Sequence, residues 1–388
     1  MASAAVPAPR AGIREGWGRA LREHVRGIAE AATTPRSPED FLDRFFPLRS
    51  ANGLFDSDLR ARIVSVTPET RDAATIVLQP GRDWAGHTPG QFTRIGIDVD
   101  GVRHWRAYSL THGPRADGFI SITVKAVPGG KVSPYLVHKA RPGTIVHLDQ
   151  AQGEFVLQSP GRLLFVTAGS GITPVIGMLR NLFPVTDAGV LHLRRSRELD
   201  VVVVHLAPSE PDSIFIDNLR ELDAAGVIRL VPHYNDVHGT FDVDDLGTLV
   251  PDLAERTTYA CGPHGLLDAV AGHHDRMGLA LYTEQFRLGE ITPSEGGTVE
   301  LGGHVVEAPG DRPILDVAEE AGVTLPSGCR MGICFSCVLP LKEGAVRDLR
   351  NGALTVAVPG ETGPGGIPIQ TCISAAAGAC IIDNGGQR

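Results

Sequence analysis

Cys329, Cys334 and Cys337 follow the spacing C-x4-C-x2-C, and Cys372 supplies a fourth thiol after 34 intervening residues. Four thiolates that converge on two irons, with the first three on one tight loop, are the ligand pattern of a [2Fe–2S] cluster. Gly328, Gly332 and Ser336 keep that loop small, so its backbone can fold close around the cluster and aim N–H groups at the sulfurs. The competing reading is a zinc knuckle on Cys334 and Cys337. Zinc sites use paired C-x2-C or His ligands, and Cys329 belongs to neither pair. The cluster reading makes this chain a carrier of single electrons.

Other residues of chemical interest lie upstream. Arg106-Ala107-Tyr108-Ser109 ends a strand-like run. Alternation puts Arg106 and Tyr108 on one side and Ser109 on the other. A cation for a pyrophosphate, an aromatic plane and a hydroxyl are what a flavin needs, although the tetrapeptide alone is weak. Lys125-Ala126-Val127-Pro128-Gly129-Gly130-Lys131-Val132-Ser133 reads as a strand, a Gly-Gly turn and a helix start. Free N–H groups there suit a phosphate, and an ordinary turn is the alternative. Ala168-Gly169-Ser170-Gly171-Ile172-Thr173-Pro174 joins a strand to a helix, with Pro174 in the first turn. It suits a dinucleotide pyrophosphate but departs from the GxGxxG fingerprint. Cys261-Gly262-Pro263 ends a later strand, where parallel sheets bind ligands, so Cys261 is either beside a nicotinamide or a buried structural thiol. Glu284-Gln285-Phe286 follows the last strand and offers a carboxylate and a ring to the same place.

The elements that position these residues divide the chain of 388 residues into several domains. Residues 1–57 read as a helical extension, with Ile13, Trp17, Leu21, Val25 and Ile28 in one apolar stripe. Its second segment carries Phe41, Phe45 and Phe46. The stripe is read as a brace on the next domain or as a basic amphipathic helix that visits a membrane surface. Residues 58–158 show six strand-like runs separated by Gly/Pro/Asp turns, an antiparallel barrel. Residues 159–288 alternate strand and helix in the parallel, doubly wound manner. Residues 289–296 form a linker, and 297–388 hold strands, a helix at Ile314–Ala321 and the cysteine loop. A Gly/Pro-rich stretch, Pro359–Pro368, reads as an extra surface loop.

Bulk properties exclude several classes. No apolar run approaches the roughly 18 residues of a membrane span. The N-terminus has no basic region followed by an apolar core, so no signal peptide is expected. Beyond the cluster set only Cys261 and Cys380 remain, which disfavours a disulfide scaffold and fits a reducing cytoplasm. The net charge of −9 argues against nucleic-acid binding. Residues 1–36 carry six Arg against three Glu, a net +3, whereas 293–388 carry eleven acids against six bases, a net −5. The acidic C-terminal region fits docking to a basic face of an electron acceptor, or a merely solvated surface.

Arg106-Ala107-Tyr108-Ser109, Gly169-Ser170-Gly171-Ile172-Thr173-Pro174 and Cys261-Gly262-Pro263, in this order, resemble the ferredoxin–NADP reductase superfamily over residues 58 to 388. With its C-terminal cysteine domain the chain is similar to oxygenase reductases of the phenylacetyl-CoA epoxygenase type. With its N-terminal extension it resembles actinobacterial reductases that feed acyl-CoA desaturases. The resemblance implies a flavin barrel, a doubly wound NAD(P)-binding domain and a β-grasp ferredoxin domain. It implies that Arg106 contacts the FAD pyrophosphate, Tyr108 lies against the flavin and Ser109 bonds near flavin N5. Lys125, Gly130 and Ser133 belong to the pyrophosphate site. Gly169, Gly171, Thr173, Pro174 and Gly262 belong to the NAD(P)H site. Cys261 and Glu284 lie near the locus of hydride transfer, with Phe286 close by. After the strand Val201–Leu206, Ser209 fits a site for the 2′-phosphate of NADPH, but Glu210 and Asp212 would repel it, so either nucleotide is open.

The implied activity is NAD(P)H-dependent reduction of FAD, with electrons passed singly through the [2Fe–2S] cluster to a separate di-iron acyl-CoA desaturase or hydroxylase in fatty acid desaturation. The expected place is the cytoplasm, with the extension as a candidate contact to the inner face of the membrane. Two other readings stand beside it. One is the reductase of a soluble haem-thiolate or ring-epoxidising oxygenase, and the other is a carrier ferredoxin with inactive upstream domains.

Overall fold

The computed structural model describes residues 48, 59–99, 102–158, 161–184, 199–286, 292–327, 330, 332, 335–359, 362–363 and 365–384. The expected N-terminal helices lie outside these residues, as do Cys329 and Cys334.

The first sheet is antiparallel throughout. It comprises β1 (Arg60–Thr70), β2 (Ala73–Pro80), β3 (Phe92–Val99), β4 (Val102–Ser109), β5 (Ile120–Lys125) and β6 (Ile145–Leu148). They run in the order β4-β3-β6-β1-β2-β5. The bridge Leu110↔Ile122 brings the ends of β4 and β5 together, which curls the sheet into the expected barrel. Ile63, Ile76, Ile95 and Ile122 fill its interior, since strand alternation sends every second residue inward. A helical turn, Val132–Pro134, runs into a π-helical turn, Tyr135–Lys139, beside this core.

Five parallel strands follow: β7 (Arg162–Ala168), β8 (Asp200–Ala207), β9 (Arg229–Tyr234), β10 (Thr257–Cys261) and β11 (Leu281–Glu284). Their order is β11-β10-β7-β8-β9, so the winding reverses between β7 and β10. The sheet is buried on both faces: Leu163 and Phe165 pack into one core, Leu164 and Val166 into the other. That is why these strands read as continuous apolar runs rather than alternating ones. Helix α1 (Ile172–Leu182), with Pro174 in its first turn as expected, is buried from Ile172 to Leu179. It is wedged between this sheet and the barrel. A Cβ on Gly177 would meet the Leu110 carbonyl oxygen at 2.4 Å, so only glycine permits that approach. Helices α2 (Ile216–Ala224) and α3 (His264–Met277) also belong to this domain.

The C-terminal sheet is mixed. It contains β12 (Gly297–Leu301), β13 (His304–Ala308), β14 (Val338–Asp348), β15 (Leu354–Ala357), β16 (Ile367–Gln370) and β17 (Ser374–Ile382). The order is β13-β12-β17-β14-β15, with β16 also on β14. β12 and β17 run parallel, and the other pairs are antiparallel. Helix α4 (Ile314–Glu320) buries Ile314, Leu315 and Ala318 against this sheet. Of the stretch read as an extra loop, Ile367 and Pro368 instead begin β16.

Among the described residues no helix is long and apolar enough to cross a membrane.

Candidate functional site

The winding reversal places the ends of β7 and β10 side by side, and parallel sheets bind ligands at such a point. The turn after β7 lies there. Gly169 has φ +53°, and a Cβ on Gly171 would sit 2.0 Å from the Cys261 carbonyl oxygen. Gly171 therefore serves a backbone approach within the protein, a constraint that a dinucleotide reading of the motif does not reveal. Thr173 donates its hydroxyl to the Ser170 carbonyl at 2.9 Å, which locks the turn, and Pro174 is buried in the first turn of α1. Gly262 packs against Ala168, where an added Cβ would come within 3.1 Å of the Ala168 Cβ.

Cys261 is fully buried, and its register partners are Thr167 on one side and Glu284 on the other. Burial pushes the Cys261 thiol up, and the charge of Glu284 adds to this, so the thiol stays protonated at neutral pH. Glu284 is pushed up to about 8 by burial, which makes it a neutral carboxylic acid at pH 7. Its Oε2 is buried without a hydrogen-bond partner among the described residues. Phe286 packs on the apolar core beneath the sheet.

The barrel contributes a matching set. Ser109 Oγ and Tyr108 Oη are likewise buried and unpartnered among the described residues. Burial raises the Tyr108 phenol, against the opposing charge of Arg106. Ser109 immediately precedes Leu110, the residue on which Gly177 of α1 rests, so the end of β4 and the parallel-sheet domain meet at one seam. Buried polar atoms without partners are rare and call for a ligand or water. A hydroxyl and a phenol at the end of β4, and a protonated carboxyl beside a neutral thiol at the strand ends of the parallel sheet, suit heteroaromatic rings with their nitrogens and carbonyls. The residues present thus fit a flavin and a nicotinamide.

The phosphate-side residues are occupied more locally. Arg106 Nη1 donates to the Trp105 carbonyl at 2.7 Å. Lys125 pairs with Asp72 at 3.3 Å. The Gly130 N–H donates to the Val127 carbonyl at 2.9 Å, and Ser133 Oγ accepts from the Val127 N–H at 3.1 Å. Gly130 and Ser133 therefore close the turn on which they sit.

After β8, where the nucleotide is expected, Ser209 donates to Asp212 at 2.8 Å, and Arg71 faces the other oxygen of Asp212 at 3.1 Å. Glu210 is paired with Arg220 of α2 at 2.6 Å. Arg220 carries no motif of its own and reaches Glu210 from a helix eleven positions after Ser209.

The second centre lies in the C-terminal domain. Cys337 Sγ and Cys372 Sγ are both buried and 3.1 Å apart. Thr371 donates its N–H and its hydroxyl to the Cys337 carbonyl at 3.2 and 3.1 Å, which ties the two cysteine segments together. Two thiols brought side by side from distant positions fit ligation of one metal centre. In the loop between them and the described end of α4, Arg330 has φ +62° and pairs with Asp316 at 2.6 Å and with Glu319. Gln370 donates to the Gly332 carbonyl at 2.9 Å.

Residues 61–157 match the oxidoreductase FAD-binding domain family, and residues 298–377 match the 2Fe-2S iron-sulfur cluster binding domain family. An NADPH oxidoreductase of Mycobacterium tuberculosis is 43% identical over 376 residues, covering 92% of each chain. The reductase subunit of stachydrine N-demethylase from Rhizobium meliloti is 28% identical over 322 residues, covering 75% of this chain and 88% of that one. The fold matches phthalate dioxygenase reductase, described as a modular structure for electron transfer from pyridine nucleotides to [2Fe–2S], with a TM-score of 0.58 at 24% identity. That match covers 84% of this chain and 98% of the other. The chain belongs to the family of NAD(P)H-dependent, FAD-binding oxidoreductases of the ferredoxin reductase type that carry a C-terminal [2Fe–2S] domain.

Proposed function

We propose that this protein is the reductase of a multicomponent oxygenase system and that its acceptor is a di-iron acyl-CoA desaturase or hydroxylase. When bound, the FAD and the cluster together convert a two-electron hydride donor into single electrons. The chain's own residues supply placement. Cys261 and Glu284 form a dry, uncharged wall at the strand ends, and the carboxyl proton on Glu284 is available as a donor. Ser109 offers a second donor from the barrel. Arg106 and Tyr108 share the inner side of β4 and serve the flavin. Gly169, Gly171 and Thr173 shape the turn that receives the nucleotide. Cys329, Cys334, Cys337 and Cys372 are the cluster ligands.

The observation that carries this reading is one chain holding both an unpartnered, buried donor set at Ser109 and Glu284 and a buried thiol pair at Cys337 and Cys372. A carrier ferredoxin has no use for the first. Arg220, paired with Glu210 next to Ser209 in the chain, supports NADPH as the donor, once Glu210 yields it. Phe335 supports a protein acceptor. It lies between two of the cysteines, has φ +56° and is 66% exposed. An exposed aromatic at the rim of an acidic domain is a contact suited to a partner.

The N-terminal extension is proposed to brace the flavin domain or to approach a membrane-bound acceptor. A soluble oxygenase is the second reading, favoured by the relative named as the reductase subunit of stachydrine N-demethylase. Reconstitution decides between them. The purified holoenzyme with NADPH should support desaturation of an acyl-CoA by membranes containing a di-iron desaturase. Coupling only to a soluble oxygenase would overturn the acceptor assignment and leave the reductase chemistry standing.

A further inference from the structure

The barrel and the C-terminal domain meet across the outer face of β3 and β4. Register pairs Arg94 with Ala107, Gly96 with Trp105 and Asp98 with Arg103, so these residues share that outer face. A Cβ on Gly96 would come within 3.0 Å of the Trp105 ring, so the indole lies across the glycine. The guanidinium of Arg94 sits 5.2 Å from the Trp105 ring centroid, a cation–π distance. Arg94 Nε donates to Asp149 Oδ2 at 2.5 Å, and Nη2 faces the same carboxylate. Asp149 is itself held, because the buried Thr93 donates to its carbonyl at 2.6 Å. The remaining corner of the fork crosses the seam. Arg94 Nη1 donates to the Ser327 carbonyl and lies 3.0 Å from Ser327 Oγ.

Ser327 stands two residues before Cys329, where the cysteine loop begins. The seam is not filled throughout. A cavity of about 570 Å³ lies along it, lined by Arg94, Arg103 and Trp105 on the barrel side and by Glu319, Thr324 and Ser327 on the other. Directional bonds across such a seam help to fix the relative placement of two domains, since interfaces of this kind otherwise permit movement. Arg94 is suited to that task. Its planar fork is fixed by a carboxylate and an aromatic face within the barrel, so little freedom is lost when it bonds the partner domain.

We propose that Arg94 is a positioning residue for electron transfer from the flavin domain to the cluster, acting by pinning the start of the cysteine loop to the barrel. The step it governs moves one electron and makes or breaks no bond, so distance and orientation decide its rate. Hydride transfer occurs at the strand ends of the other seam and does not depend on Arg94.

The test uses the holoenzyme and an Arg94→Met variant, which keeps side-chain length and loses the fork. Anaerobic stopped-flow mixing with NADPH reads flavin bleaching and cluster bleaching separately. Hydrogen–deuterium exchange reads residues 322–327 independently of turnover. The expected result is unchanged flavin reduction, cluster reduction slowed about tenfold by misplacement, and faster exchange at 322–327. Arg94→Lys, which keeps the charge over Trp105 but not the bidentate geometry, should slow the cluster step by a smaller factor. It decides the matter if Arg94→Met fails to retain its flavin. Cluster reduction at wild-type speed in the folded variants, or equal slowing of both steps, would overturn the proposal.

Discussion

The two candidate sites are built by opposite means. Around Cys261 and Glu284, backbone register does the assembly: neighbouring strands of one sheet set side by side two residues 23 positions apart in sequence. At Cys337 and Cys372, one thiol per segment is brought together by bonds between the segments themselves, Thr371 to Cys337. The first centre works through burial, which keeps a carboxyl and a thiol uncharged. The second works through the identity of its ligand atoms. A site made by burial tolerates changes of residue and loses rate. A site made by ligation tolerates none and loses its metal.

The largest effect should therefore come from ligation. Cys337→Ser is expected to abolish cluster content and nearly all NADPH-driven cytochrome c reduction, while ferricyanide reduction through the flavin persists. Iron and flavin analysis with the two assays checks this. Parallel loss of flavin would show that the two centres are not independent.

Removing the buried thiol comes next. Cys261→Ala is expected to slow flavin reduction by about 10- to 100-fold through misplacement at the contact, and to lower the unfolding midpoint by only a few degrees. Stopped-flow and calorimetry on the same preparation separate rate from stability. A large loss of stability with unchanged rate would return Cys261 to a packing role.

Glu284 sharpens the comparison through pH. Burial raises its folded value to about 8, above the ordinary carboxylate value. Below that pH the site holds a neutral carboxyl, and above it a buried charge. Flavin reduction should fall as pH rises through about 8, and Glu284→Gln should flatten the profile. The same sign holds for folding. The unfolded carboxyl loses its proton near its usual value while the folded one keeps it, so the contribution to stability declines as pH rises toward and through about 8. Melting temperatures of wild type and Glu284→Gln across this window read the difference.

The smallest effect belongs to the nucleotide end. Glu210→Gln frees Arg220 from its ion pair, and the preference for NADPH over NADH in kcat/KM should rise about three- to tenfold, an exposed charge contact being worth on the order of 1 kcal/mol. Steady-state kinetics with both nucleotides checks it.

How much of this was legible in the sequence follows the same division. The cysteine spacing declared its chemistry directly, because metal ligation dictates both residue type and interval. The barrel, the doubly wound sheet and helix α4 were also readable, since alternation and apolar runs report burial. What escaped were contacts made by register and by crossing between domains. Gly171 reads as a phosphate glycine, but its steric reason is the Cys261 carbonyl. Arg94 carries no motif at all and acquires its partners, Asp149 and Ser327, only when three distant segments meet. Pro368, which faces Pro340 across β14 and β16, ends the Gly/Pro-rich stretch that reads as a loop, so the start of β16 is hidden in it.

The central claim is that one chain carries electrons from a nicotinamide nucleotide through a flavin to a [2Fe–2S] cluster. Anaerobic mixing of the purified holoenzyme with NADPH, followed across the visible spectrum and by electron paramagnetic resonance, tests it most directly. The account predicts loss of flavin absorbance first, then loss of cluster absorbance with the appearance of a reduced [2Fe–2S] signal. Flavin bleaching with no cluster signal, in a protein that retains its full iron, would contradict it.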